Sequence, residues 1–178
     1  MRRSWSGRRL RGRDEGSAAV EFALVLWPLL LIFFGIVNYG FWFNDSLSVR
    51  QGVREGARKA VVLKASTACT TLGGTTLAAY ACGTRAQIVT AGGVSYAKVL
   101  YPTSPGWVRG GEVVVCGMVK SINFTGFVPL PAGGMIKSKT TMSIESVTPV
   151  PTGSISAGIT SYADTLPSGE GDWSWCTS

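Results

Sequence analysis

A glutamate stands at the entrance of a long apolar run, in the stretch RDEGSAAVEFALVLWPLL, and no charged residue follows Glu21 until Asp45. A carboxylate at the edge of a membrane span is costly unless a specific partner meets it. Other reactive chemistry is scarce. The chain has no histidine, which removes the commonest general base, the histidine-dependent nucleophiles and the commonest zinc ligand. The acids Glu112, Glu145, Asp164, Glu170 and Asp172 form no motif, and the glycine-rich stretches AGGVS and RGGEV lack the helix and lysine of a phosphate cradle. No catalytic residue, metal, cofactor or small-molecule substrate is expected.

The four cysteines, Cys69, Cys82, Cys116 and Cys176, all follow the apolar run and include no C-x-x-C pair. Paired disulfides in an oxidising compartment suit them better than zinc. Four cysteines allow three connectivities. The favoured one closes a short loop between Cys69 and Cys82 and ties a central strand at Cys116 to the tail at Cys176.

These groups must be positioned by an anchor and a small domain, which is what 178 residues can hold. From Phe22 to Asn44 there are 23 residues without a formal charge, about 34 Å of helix against a hydrocarbon core of about 30 Å. Six arginines precede the run, and with Asp14 and Glu15 they leave four of the seven net positive charges in the first fifteen residues. That bias places the N-terminus in the cytoplasm and the cysteines on the oxidising side. It also locates the basic charge away from any stripe of stacking aromatics, so nucleic acid is not an expected partner. A cleaved secretory signal has a shorter apolar core and a small-residue cleavage site, and here NYGFWFNDSLS follows instead. A twin-arginine signal at Arg2-Arg3 fails because polar, arginine-rich sequence stands where the apolar core should begin.

Pro28 lacks an amide hydrogen and predicts a bend within the first third of the helix. Beyond the run, Leu47, Val49, Val53, Ala57, Ala60 and Val61 recur at near-helical intervals, with Arg50, Arg54 and Arg58 on a polar face. One continuous helix from about Ala18 to about Lys64 is expected. The arginine row reads as a solvated face.

The stretch GSAAVEFALVLWPLLLIFFGIVNYG followed by REGARKA resembles the amino-terminal region of the TadE-like family, the minor pilins or pseudopilins of tight-adherence, Flp-type pilus systems. The resemblance implies a basic leader cut by a prepilin peptidase after Gly16, a mature chain beginning at Ser17, and Glu21 and Phe22 at the fifth and sixth mature positions. It covers about fifty residues. It implies as partners the membrane, a prepilin peptidase, other minor pilins and the membrane platform proteins of the pilus machine. Three positions depart from the family's usual pattern: Asn38 stands where an acid is frequent before Tyr39-Gly40, Phe41 where a basic residue often follows, and Trp27 where many members run straight from leucine into proline.

Downstream, VSYAKVL, EVVVCGMVKSINF and MIKSKTTMSIES are β-branched, partly alternating and bounded by glycine or proline, so they read as strands of a small antiparallel sheet. The sheet is expected to pack on the far half of the helix, giving an α+β, pilin-like form. The Pro-, Gly-, Ser- and Thr-rich segment from Thr148 reads as an extended tail, with Trp173 and Trp175 stapling it back beside the second disulfide. The expected organisation is a leader over residues 1–16, a transmembrane helix over 17–44, its extracytoplasmic extension over 45–68, an α+β domain over 69–147 and a tail over 148–178. The function expected is that of a membrane-anchored pilus or secretion assembly component. The alternative is an unprocessed, signal-anchored extracytoplasmic module for ligand binding or adhesion.

Overall fold

The computed structural model describes residues 14–64, 66, 69, 76–101, 106–148 and 161–177. The arginines of the expected leader therefore lie outside the described residues. The chain divides into two compact units, Met1–Val37 and Asn38–Ser178. Helix α1, Asp14–Val61, contributes to both. In the first unit all that is described is helix, and nearly every apolar side chain on it is exposed. It contains an apolar window long enough to cross a membrane, none of it buried.

The second unit is α+β. Helix α2 spans Leu77–Gln87, and the strands are β1, Val94–Leu100, β2, Glu112–Lys120, β3, Met135–Ser143, and β4, Ser161–Ala163. They form one antiparallel sheet in the order β3-β2-β1-β4. β2 is central and buried on both faces. Its Val113, Val115 and Val119 join the core with Val49, Val53, Ala57 and Ala60 of α1, a stripe repeating every three or four residues, as a helix lying on a sheet requires. The two elements approach most closely at Gly117, where an added Cβ would lie 2.5 Å from a methyl of Val53. Glycine there lets the helix settle onto the strand.

The opposite face of β2 is covered by the C-terminal segment. Val114, Cys116, Leu100 and Cys176 form a second apolar cluster against which Trp173 and Trp175 pack. The disulfides are Cys69–Cys82 and Cys116–Cys176, closing separations of 13 and 60 residues. In the chain-entropy picture such loops stabilise by about 3 and about 4 kcal/mol. The segment from Thr148, read as an extended tail, supplies an edge strand as well: β4 pairs with β1, matching Val99 to Tyr162. Three residues of mixed polarity carry too little alternation to register as a strand.

Strand β2 is also shorter than its sequence. EVVVCGMVKSINF reads as a strand through Phe124, yet Lys120 is the last residue paired on both sides, with Val94 and Met135. α1 ends with Leu63 in the left-handed conformation, φ 55°, and the Lys64 amide donates to the Lys59 carbonyl. Glycine usually takes that position; here the leucine side chain packs against the core.

Candidate assembly segment and the groups that support it

Gly16, Ser17, Glu21 and Phe22 all lie exposed on α1. A Cβ built on Gly16 meets nothing within 4 Å, so packing within the chain does not demand glycine there. Ser17 and Glu21 are four residues apart, hence neighbours on one helical face. No ion pair to Glu21 occurs among the described residues. Behind Glu21 the helix presents Phe22, Leu24, Val25, Trp27 and Leu29, each more than half exposed. An apolar surface of that extent requires lipid or other apolar helices to cover it. Pro28 falls inside this stretch.

In the second unit several of the acids are engaged in holding the fold. Asp45 is fully buried; its carboxylate accepts from the Ser121 hydroxyl at 2.6 Å and from the Ala91 amide at 3.0 Å. It thereby ties α1 to the end of β2 and to the turn before β1. Asp164 accepts from the Ala97 amide at 2.9 Å and pairs with Arg85 at 3.4 Å. Glu170 pairs with Lys120 at 3.1 Å, and hydrogen bonds from Tyr96 and Lys120 hold its carboxyl below the usual range. Arg50, Arg54 and Arg58 are exposed. Arg58 donates twice to Glu55, both at 2.8 Å, and this holds the Glu55 carboxyl down at about 2. The pair's contribution is present above the ordinary carboxylate pKa and lost as pH falls toward 2. Solvent screens it, so that contribution is small. Burial pushes the Tyr80 phenol up to about 12. A shallow trough between α2 and β1, lined by Cys69, Cys82, Arg85 and Tyr96, brings together no acid–base pair beyond these.

Two buried polar groups escaped sequence reasoning. Asp45 was legible only as the charge that ends the apolar run, and Asn38 only as a departure from the family's pattern. Asn38 is fully buried; its amide donates to Asn123 Oδ1 at 3.0 Å and Thr125 Oγ1 at 2.6 Å while its carbonyl accepts from the Phe124 amide at 3.2 Å. A carboxylate in its place would have no proton to donate to those two oxygens. Replacing Asp45 with alanine is expected to strand a buried hydroxyl and a backbone amide, lowering stability by roughly 3 kcal/mol. Asp45→Asn, which keeps an acceptor, should lose less. Denaturant unfolding of the full chain in detergent, followed by tryptophan fluorescence, measures both.

Residues 16–58 match the family described as TadE-like protein. The match takes in Gly16, Ser17, Glu21, Phe22, Pro28 and the arginine row, and leaves the sheet and both disulfides outside it. No curated protein and no solved structure matches the chain.

Proposed function

We propose that this chain is a minor pilin or pseudopilin, a membrane-anchored assembly component of a tight-adherence pilus or a related secretion system. What carries the reading is one ordered set of features: a basic stretch before Gly16 and then, inside the segment matched by the TadE-like family, Gly16, Glu21 five residues later, Phe22, and an exposed apolar helix behind them. A prepilin peptidase cleaves between Gly16 and Ser17, with residues 1–16 as the leader and the N-terminus cytoplasmic. That bond lies in the first turn of α1, next to the end of the helix, so opening it for cleavage disturbs few helical hydrogen bonds. The apolar helix over residues 17–44, bent near Pro28, packs with other minor pilins and with membrane platform proteins. The disulfide-tied domain lies outside the cytoplasm.

The test is the N-terminal peptide and intact mass of the chain expressed with a cognate prepilin peptidase, beside a Gly16→Asp variant. The native chain is expected to begin at Ser17 and the variant to keep its leader. Should both chains retain residues 1–16, a signal-anchored binding module replaces this reading.

A further inference from the structure

Between Lys120 and Lys137 the sequence carries no charge for sixteen residues, Ser121–Ile136. The first ten, after β2 ends, have no regular structure. An irregular surface loop ordinarily meets water, yet this one turns Ile122, Phe124 and Phe127 outward, with Phe127 81% exposed. It is also tied along its length to the last two turns of the uncharged run of α1. Phe124 stacks on Phe41 with ring centroids 4.8 Å apart, and the Tyr39 hydroxyl donates to the Pro129 carbonyl at 3.2 Å. Asn38 lies beneath it, bonded to Asn123, Thr125 and the Phe124 amide.

Several of the loop's backbone groups find partners within the protein. Asn123 donates to the Val128 carbonyl at 2.9 Å and accepts from the Gly126 amide at 3.0 Å. The Gly133 amide reaches the Leu130 carbonyl, and the Ser121 amide the Gly134 carbonyl. Part of the backbone is thus paired within the protein, through the Asn123 side chain and through backbone bonds. That is what irregular backbone needs where water is scarce.

We propose that the connection Ser121–Gly134 is a second membrane contact, seated at the outer boundary of the bilayer beside α1, with Phe124 and Phe127 in the interfacial region. Lipid is the occupant because the loop is tied to the last turns of the uncharged run of α1, at Asn38, Tyr39 and Phe41, where a membrane-crossing run would end. A core of about 30 Å takes about twenty helical residues, so the end of a 23-residue run, on which the loop rests, lies at the boundary. Exposed aromatics beside Tyr39 and Phe41 give the belt that suits this depth, and charge returns on both sides at Lys120 and Lys137. The inference rests on α1 crossing a membrane and is independent of leader cleavage.

The full chain, with its disulfides formed, is reconstituted in phosphatidylcholine vesicles with one spin label at a time. The positions are Phe127→Cys; Phe33→Cys, exposed within the apolar run; and Arg109→Cys, exposed near the α1 terminus. Collision rates with oxygen and with a water-soluble nickel chelate give the depth of each label. The Phe127 label is expected to lose most of the nickel accessibility that the Arg109 label shows and to gain oxygen accessibility toward that of Phe33. If the Phe127 label matches Arg109 while Phe33 reads as lipid, the loop proposal falls and the span stands. If Phe33 also reads as water, the span falls and the proposal with it. Protection of the Phe127 label from both reagents would mean burial against a second copy, which also overturns the lipid contact.

Discussion

Replacing Gly56 with leucine is expected to lower the stability of the second unit by about 3 kcal/mol or more, a large share of the 5–15 kcal/mol that a domain of ordinary stability has. A Cβ at Gly56 would lie 2.1 Å from Thr84 Oγ1 and 2.8 Å from Thr84 Cβ. Thr84 cannot turn aside, because it is fully buried and its hydroxyl donates to the Tyr80 carbonyl at 2.8 Å. One turn earlier, Gly52 meets Ile88 in the same way, at 2.4 Å. The two glycines form the flat on α1 against which α2 rests. Alanine at position 56 gains about 1 kcal/mol of helix propensity against an overpacking cost of about 1–3 kcal/mol, so its net effect is a modest loss. Leucine adds bulk without further propensity gain. Gly40→Ala, where nothing lies within 4 Å of the added atom, is the control, and Thr84→Gly should restore part of the loss in Gly56→Ala. Denaturant midpoints of the full chain in detergent decide the matter. A Gly56→Leu chain as stable as the parent would mean that α2 does not rest on this face.

Gly56 also shows where linear reading stops. The helical periodicity from Leu47 to Val61 was visible, and so were the sequences of β1 and β3, because burial on one face imposes a period that sequence displays directly. Which glycine a second helix will lie on depends on how the chain returns, and no local pattern carries that. The same holds for Asp45 and Asn38: each is one polar residue in a helix, and its partners Ser121, Asn123 and Thr125 come from more than seventy residues away. β2 was overrun by four residues because SINF is as β-prone as the strand before it. Tertiary bonds to Asp45 and Asn38, and not propensity, turn the chain away after Lys120. In the proposed assembly segment, the spacing of Gly16, Glu21 and Phe22 was plain from sequence, since a basic stretch and a charged helix entrance are local features. The partners proposed for them are other molecules, which no pattern within one chain displays.

Glu21→Ala is accordingly expected to separate maturation from assembly: the chain should be cleaved after Gly16 as efficiently as the parent and still fail to enter the assembly. Cleavage creates an α-amino group on Ser17 with a reference pKa near 8, positive at neutral pH and one helical turn from Glu21. A charge deep in a bilayer costs roughly 2.5–3.5 kcal/mol and less toward the edge, so on the proposed reading the unassembled chain carries a burden that pairing with a neighbouring subunit's amine would relieve. Alanine removes the burden from the free chain and the relief from the assembled one. The bias lost is at most that cost, corresponding to a decrease of up to about two and a half orders of magnitude in association. Co-isolation of tagged and untagged chains from membranes, with intact mass read on the same samples, tests both halves together. If the alanine chain is cleaved and co-isolates like the parent, Glu21 merely faces the positive end of its own helix in the headgroup region, and stagger between subunits must be set by the apolar face alone. If association falls while cleavage holds, the carboxylate at the entrance of the apolar run is the group that makes one helix recognise the end of another.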